Sequence, residues 1–206
     1  MGGVEIEVEV ARLRAQGQLK AAASLAIERY GPEVLSFLET MLRDHADASD
    51  AFAQACENLW KGLRRFEGRA SMKTWFYTLA RNAASRLRRS SRHRRLARLS
   101  EISNVADRVR SRTKPHLQTE VKRGFASIRD SLDDGDRILL VLRVDRAMSW
   151  NEVARVMANE DDGDSDEDIA RIAARLRKRF QSVKELIRER AVATGLIASL
   201  DPETER

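Results

Sequence analysis

The chain has 206 residues, enough for one or two small domains, and 42% of them are hydrophobic, so a core can form. Charged residues reach 34%, prolines number only 3 and the formal net charge is +6, which favours helices and a polyanionic partner. The single cysteine, Cys56, excludes an intramolecular disulfide, the three scattered histidines give no metal-ligand spacing, and no apolar run approaches membrane-spanning length.

The segment from Met1 to Val10 is acidic and lacks a basic stretch followed by an apolar block. It does not read as a secretory signal, and a cytoplasmic protein is expected. Val4, Ile6, Val8 and Val10 alternate with Glu5, Glu7 and Glu9, which is strand periodicity with no partner strand. Residues 1–17 are therefore read as a poorly ordered extension. Gln18 to Tyr30 is Ala-rich and predicts a helix that ends near Gly31-Pro32. Pro32 then suits the first turn of a second helix, with Val34, Leu35, Phe37, Leu38, Met41 and Leu42 inward. A further helix spans Asp47 to Leu63, with Phe52, Ala55, Cys56, Leu59 and Leu63 on its apolar stripe. Asp50, Gln54, Glu57 and Asn58 lie opposite. Cys56 reads as a small core residue.

Glu67-Gly68 marks a turn, and Ser71 precedes a helical stripe of Met72, Trp75, Phe76, Leu79, Ala80, Ala83 and Leu87. Lys73, Arg81, Arg86, Arg88, Arg89, Arg92, Arg94, Arg95 and Arg98 follow along one side and past the end. A loop, an aromatic-bearing helix and a basic run suit a surface that holds nucleic acid. From Ser90 to about Glu120 the apolar periodicity fades and Ser, Thr and Arg dominate, as in an extended flexible linker. Four more helical segments follow. Val121, Phe125, Ile128 and Leu132 make the first, and Asp136 to Asp145 the second, with Ile138, Leu139, Val141 and Leu142 inward. Ser149-Trp150-Asn151-Glu152 is a capping box that opens the third, which carries Val153, Val156 and Met157. The last buries Ile169, Ile172, Leu176, Phe180, Val183 and Ile187. It turns Arg171, Arg175, Lys178, Gln181 and Ser182 outward, flanked by Arg177 and Lys184. A basic, amide-bearing outer face of that kind fits a DNA major groove. Between the last two helices, Glu160 to Asp168 holds seven acids in nine positions, read as a solvated insertion or, alternatively, as a contact that sets orientation or represses DNA binding.

These residues carry a resemblance. The run FEGRASMKTWFYTLARNAASRLRR is similar to region 2 of the extracytoplasmic-function (ECF) sigma factors, small two-domain members of the sigma-70 family of bacterial transcription initiation factors. Asp47-Ala48-Ser49-Asp50 and Trp60 resemble that family's polymerase-docking helix, with one departure. Ala53 stands where the family usually has Gln, and Gln54 comes one position later. Asp136-Arg137-Ile138-Leu139-Leu140 through Ser149-Trp150-Asn151-Glu152-Val153-Ala154 resembles the opening of sigma region 4. Leu176-Arg177-Lys178-Arg179-Phe180 through Glu185 resembles its recognition helix. The acidic insertion departs from the usual short turn. The resemblance covers about Gln18 to Arg95 and Ser127 to Arg190.

The resemblance implies an all-α protein of two small helical domains. The expected division is a 1–17 extension, region 2 over 18–95, a flexible linker over 96–120, a region 4 helix-turn-helix over 121–192 and a 193–206 tail. It implies docking on core RNA polymerase through Asp47, Asp50, Gln54 and Glu57. Melted −10 DNA would be held by Phe66, Glu67, Gly68, Arg69, Lys73, Arg81, Asn82 and Arg86, with Phe66 and Asn82 at a captured base. Trp75 is expected to serve the core. Duplex −35 DNA would be read by Arg175, Arg177, Lys178, Gln181 and Ser182. An anti-sigma factor is a further expected partner. No nucleophile–base pair, phosphate loop or metal constellation stands out, so neither an enzyme nor a cofactor is expected. Two other readings stay open: a polymerase-independent helix-turn-helix regulator, and a helical adaptor that uses the basic run on RNA.

Overall fold

The computed structural model describes residues 3–98, 120–159, 162–163 and 165–197. Residues 99–119 of the expected 96–120 linker and 198–206 of the expected 193–206 tail lie outside the described residues, as do the side chains of Arg92, Arg94, Arg95 and Arg98. All regular structure among the described residues is helical, as expected. The first unit contains α1 (Gly3–Ala15), α2 (Leu19–Leu42), α3 (His45–Gly62), a 3-10 turn (Leu63–Arg65) and α4 (Met72–Arg98). The second contains α5 (Glu120–Asp130), α6 (Asp134–Leu140), a π turn (Val141–Asp145), α7 (Trp150–Met157) and α8 (Asp166–Ala193).

The first departure from expectation is α1. Alternation of Val and Glu suggests a strand, but Ile6, Val10 and Leu13 recur at i, i+4 and i+7 and are buried against α2. Val4 and Val8, the other half of the alternation, are exposed. Helical burial of one stripe wins because, among the described residues, no second strand is present to satisfy an extended backbone. The second departure is α2, which continues through Pro32 where a break is expected. Ala22, Ala23, Ala26, Tyr30, Val34, Phe37, Leu38 and Met41 stay in phase on both sides of the proline and all are buried. That shared face outweighs the lost backbone hydrogen bond. Gly31 helps, since a Cβ there would stand 3.2 Å from the Phe52 ring. The third departure is α4, which runs to Arg98 rather than fading from Ser90.

α4 packs against α2 and α3 within its own unit and against α7 of the other. Phe76 and Tyr77 are fully buried, with Phe76 6.1 Å from Phe52 and Tyr77 5.2 Å from Phe37 between ring centroids. Asp44 caps α3 by accepting the Asp47 amide at 2.8 Å. In the second unit, the Ser149–Glu152 capping box is present in both directions, as expected. Ser165 caps α8, which begins at Asp166, three residues before Ile169.

The two units are not separate. One contiguous apolar core joins Ile6, Phe37, Leu59 and Phe76 to Ile138, Leu142, Val153 and Ile172. The Arg137 guanidinium is buried and donates to the Thr40 carbonyl at 3.2 Å, one of the four carbonyls that the end of α2 leaves free. Its other end pairs with Asp134 at 2.6 Å. Arg146 donates to the Glu33 carbonyl at 3.3 Å, and Arg43 donates to that of Asp130.

Candidate nucleic-acid interface

The loop between α3 and α4 is built around three groups. Phe66 stacks on Trp75 with centroids 4.6 Å apart and rings 25° from parallel. The Arg14 guanidinium carbon sits over Phe66, 4.7 Å from its centroid. Arg14 also donates to the Phe66 carbonyl. Trp75 packs in turn on Gly62, where a Cβ would lie 3.0 Å from the indole. Trp75 is half-buried and belongs to the core edge, in line with its expected core role. At the loop tip, Gly68 has φ +77° with nothing within 4 Å of a built Cβ, a backbone position that favours glycine. Glu67 and Arg69 flank it, exposed and paired at 2.8 Å.

Below the loop, Asn82 lines an open cleft of about 770 Å³ together with Phe66, Arg69 and Trp75. The opposite wall comes from Arg155, Ala158 and Asn159, on and just after α7. Of the −10 set, the structure thus gathers Phe66, Glu67, Arg69 and Asn82 at one cleft. Lys73 is engaged elsewhere, with Glu33 at 2.9 Å. Arg81 reaches the second unit, donating to the Ala158 carbonyl at 2.9 Å and to Asn159 Oδ1 at 3.3 Å. Burial is the main influence on its guanidinium pKa and lowers it, while the charge of Asp162 acts the other way. Arg86 lies exposed further along α4. Ser71, Thr74 and Glu152 form a relay across the unit boundary. The Ser71 hydroxyl donates to Thr74 Oγ1 at 2.9 Å, and the Thr74 hydroxyl donates to Glu152 at 3.1 Å.

The α7–α8 pair is a helix-turn-helix with a lengthened turn. Arg175, Arg177, Lys178, Gln181 and Ser182 are all exposed on α8. Trp150 contacts the edge of Phe180, with centroids 5.5 Å apart, and Arg177 lies over the same indole at 5.6 Å. The acidic insertion pairs with the helices around it, as far as it is described. Asp166 meets Arg155 at 2.9 Å, Asp168 meets Arg171 at 2.6 Å and Asp162 approaches Arg175 at 3.8 Å. Glu160 lies outside the described residues.

On α3, Asp50, Gln54 and Glu57 are exposed, and Asp47 is half-buried beside its cap. Gln54 donates to Glu57 at 2.9 Å and to Asn58 at 3.2 Å, so this polar face is internally linked. Trp60 is 48% exposed near the end of the same helix. Exposure of an indole beside a polar face suits a docking surface.

Residues 26–94 match the family described as sigma-70 region 2. That stretch is similar to sigma-70 region 2, over about a third of the chain. It spans α3, the Phe66 loop and α4 to the basic run, where the sequence resemblance places it. A solved structure shares the fold across 77% of this chain and 94% of its own, with a TM-score of 0.50 and 19% identity. It is the sigma factor RpoE of Bartonella quintana, in complex with the anti-sigma factor NepR. Comparison with curated proteins returns no match. No helix among the described residues is long and apolar enough to cross a membrane.

Sequence reasoning missed Glu7 and Arg14, both on α1 and both outside the matched region 2 stretch. The i, i+4, i+7 burial pattern of Ile6, Val10 and Leu13 is the signal that finds their helix.

Proposed function

We propose that this chain is an ECF-type sigma factor. It binds core RNA polymerase and directs promoter-specific initiation by reading −35 duplex and melted −10 DNA. The observation that carries this reading is one chain holding a sigma-70 region 2 match over 26–94 and, after it, a helix-turn-helix whose α8 exposes Arg175, Lys178 and Gln181.

In this reading the polar face of α3, with Asp47, Asp50, Gln54 and Glu57, docks on the polymerase. Side chains of α8 enter the −35 major groove, where Arg, Lys and Gln donate to base edges. The cleft under Phe66 receives a −10 base once the duplex opens. A flipped base costs a few kcal/mol of stacking, which aromatic contact and edge hydrogen bonds offset. Phe66 and Asn82 supply those two kinds of contact, and Lys73, Arg81 and Arg86 supply phosphate neutralisation. Because Arg81 is bonded to the end of α7, −10 binding requires the two units to part. The chain performs no catalysis itself in this scheme, since bond formation belongs to the polymerase. RpoE is bound by an anti-sigma factor, and a partner of that kind is proposed for this chain in the cytoplasm.

The test is addition of the protein to core polymerase with genomic DNA. Discrete promoter-dependent start sites support the proposal. Tight duplex binding with no effect on polymerase supports the regulator reading instead, and preference for RNA supports the adaptor reading.

A further inference from the structure

Two side chains of α1 reach into the segment assigned above to −10 readout. The Glu7 carboxylate accepts the Met72 amide at 2.8 Å and the Lys73 amide at 3.1 Å. These are the first two amides of α4, which have no partner within the helix. An anion there also suits the positive end of the helix. The Tyr30 hydroxyl, from α2, donates to the same carboxylate at 2.8 Å and fixes its direction. Seven residues along, on the same face of α1, Arg14 holds Phe66 in two ways. It donates to the Phe66 carbonyl and lays its guanidinium over the ring. Its Nε is buried without a hydrogen-bond partner, so the placement is unfavourable for that atom. Burial of Ile6, Val10 and Leu13 must hold it there.

We infer that α1 is a positioning element for −10 readout, with Arg14 and Glu7 as its positioning residues. This rests on the sigma-factor reading. Arg14 sets the plane and depth of Phe66 at the cleft, in concert with Trp75. Glu7 sets the start of α4 and hence the placing of Lys73, Arg81 and Asn82 further along it. The loop is thereby anchored at its base, while its tip at Gly68 stays open. The anchor comes from outside the matched region 2 segment, so −10 selectivity would depend on residues that the 26–94 match does not contain.

The test compares wild type, Arg14→Ala, Arg14→Gln and Glu7→Gln, with Arg12→Ala as the control. Arg12 is exposed on the same helix and pairs with Glu9. Each is combined with core polymerase on a promoter library randomised at −10, at a temperature well below its own unfolding midpoint. Arg14→Ala and Arg14→Gln are expected to lower the preference for the best −10 base over the worst by at least fivefold. Core binding and −35 preference stay at wild-type levels, and Arg12→Ala behaves as wild type. Wild-type −10 selectivity in both Arg14 variants overturns the inference while leaving the sigma-factor reading intact. Absence of promoter-specific transcription by the wild type removes that reading, and the inference with it.

Discussion

The Thr74 hydroxyl donates to the Glu152 carboxylate at 3.1 Å, joining the first turn of α4 to the capping box of α7. One carboxylate thus serves two structures. It closes the cap of the helix-turn-helix and fastens that unit to the first.

Burial alone would raise the Glu152 pKa. The Ser149 hydroxyl and amide, the Thr74 hydroxyl and the charge of Lys73 outweigh it and hold the carboxyl below its ordinary 4.5. A folded value below the unfolded one gives stability that is present above the ordinary value and lost as pH falls through the folded value. Urea unfolding across pH should therefore show wild type losing more stability in acid than Glu152→Gln. Near neutral pH, Ser149→Ala, which removes the N-cap of the same box, should cost about 0.5–2 kcal/mol. Equal acid sensitivity of wild type and Glu152→Gln would remove this group from the account.

Closure of the units should be incompatible with promoter reading. Thr78 and Asn159 stand on opposite sides of the boundary, with the Thr78 hydroxyl at 3.5 Å from the Arg155 carbonyl and Asn159 contacting Arg81. Cysteines at 78 and 159, bridged by a short cleavable reagent, should lower promoter binding by the holoenzyme at least tenfold, with recovery on cleavage. Native Cys56 should interfere little. Burial pushes its thiol up to about 11, which leaves roughly two orders of magnitude less thiolate than a free cysteine. Full promoter binding by the bridged protein would show that the units need not part.

Readout at −35 should separate from charge. Lys178→Ala and Gln181→Ala remove exposed side chains and should each lose roughly 1–3 kcal/mol of discrimination between −35 sequences. Asp162→Asn should do the reverse in kind. It withdraws a negative charge from beside Arg175 and Arg81, so affinity should rise for all sequences and most at low salt. Titrations across sequence and salt check both, and identical profiles for the two classes would undo the division.

Polymerase docking is assigned to an exposed face of α3, so its residues can be changed without touching the core. Asp50→Arg should keep the wild-type circular dichroism and melting curve while reducing co-purification with core polymerase at least several-fold. Unchanged co-purification would move the docking surface elsewhere.

Much of this was legible in the chain. The Ser149–Glu152 box, the inward stripe of α8 and the outward Arg175, Lys178 and Gln181 follow from local spacing, and local spacing is what a helix with one buried face imposes. Residues 1–17 were not legible as a helix because Val4 to Val10 fits two periods at once. Only the presence of α2 decides which valines are covered. Pro32 reads as a break because its local cost is visible and the burial that offsets it is not. The contacts of Arg14 with Phe66 and of Arg81 with Ala158 join residues 52 and 77 positions apart. No periodicity encodes such pairs, so the site's inner anchor and its closed far wall emerge only in three dimensions.

The central claim is that this chain turns core polymerase into a promoter-specific enzyme. It is tested most directly by transcription in vitro with core polymerase, with and without the protein, on a library carrying randomised −35 and −10 elements. The account predicts start sites that appear only with the protein, at a fixed distance from two selected elements. It also predicts that Gln181→Ala alters only the −35 selection and that exchange of the Phe66 to Ser71 loop alters only the −10 selection. Start sites unchanged by the protein, or selection of a single duplex element without polymerase, would contradict it.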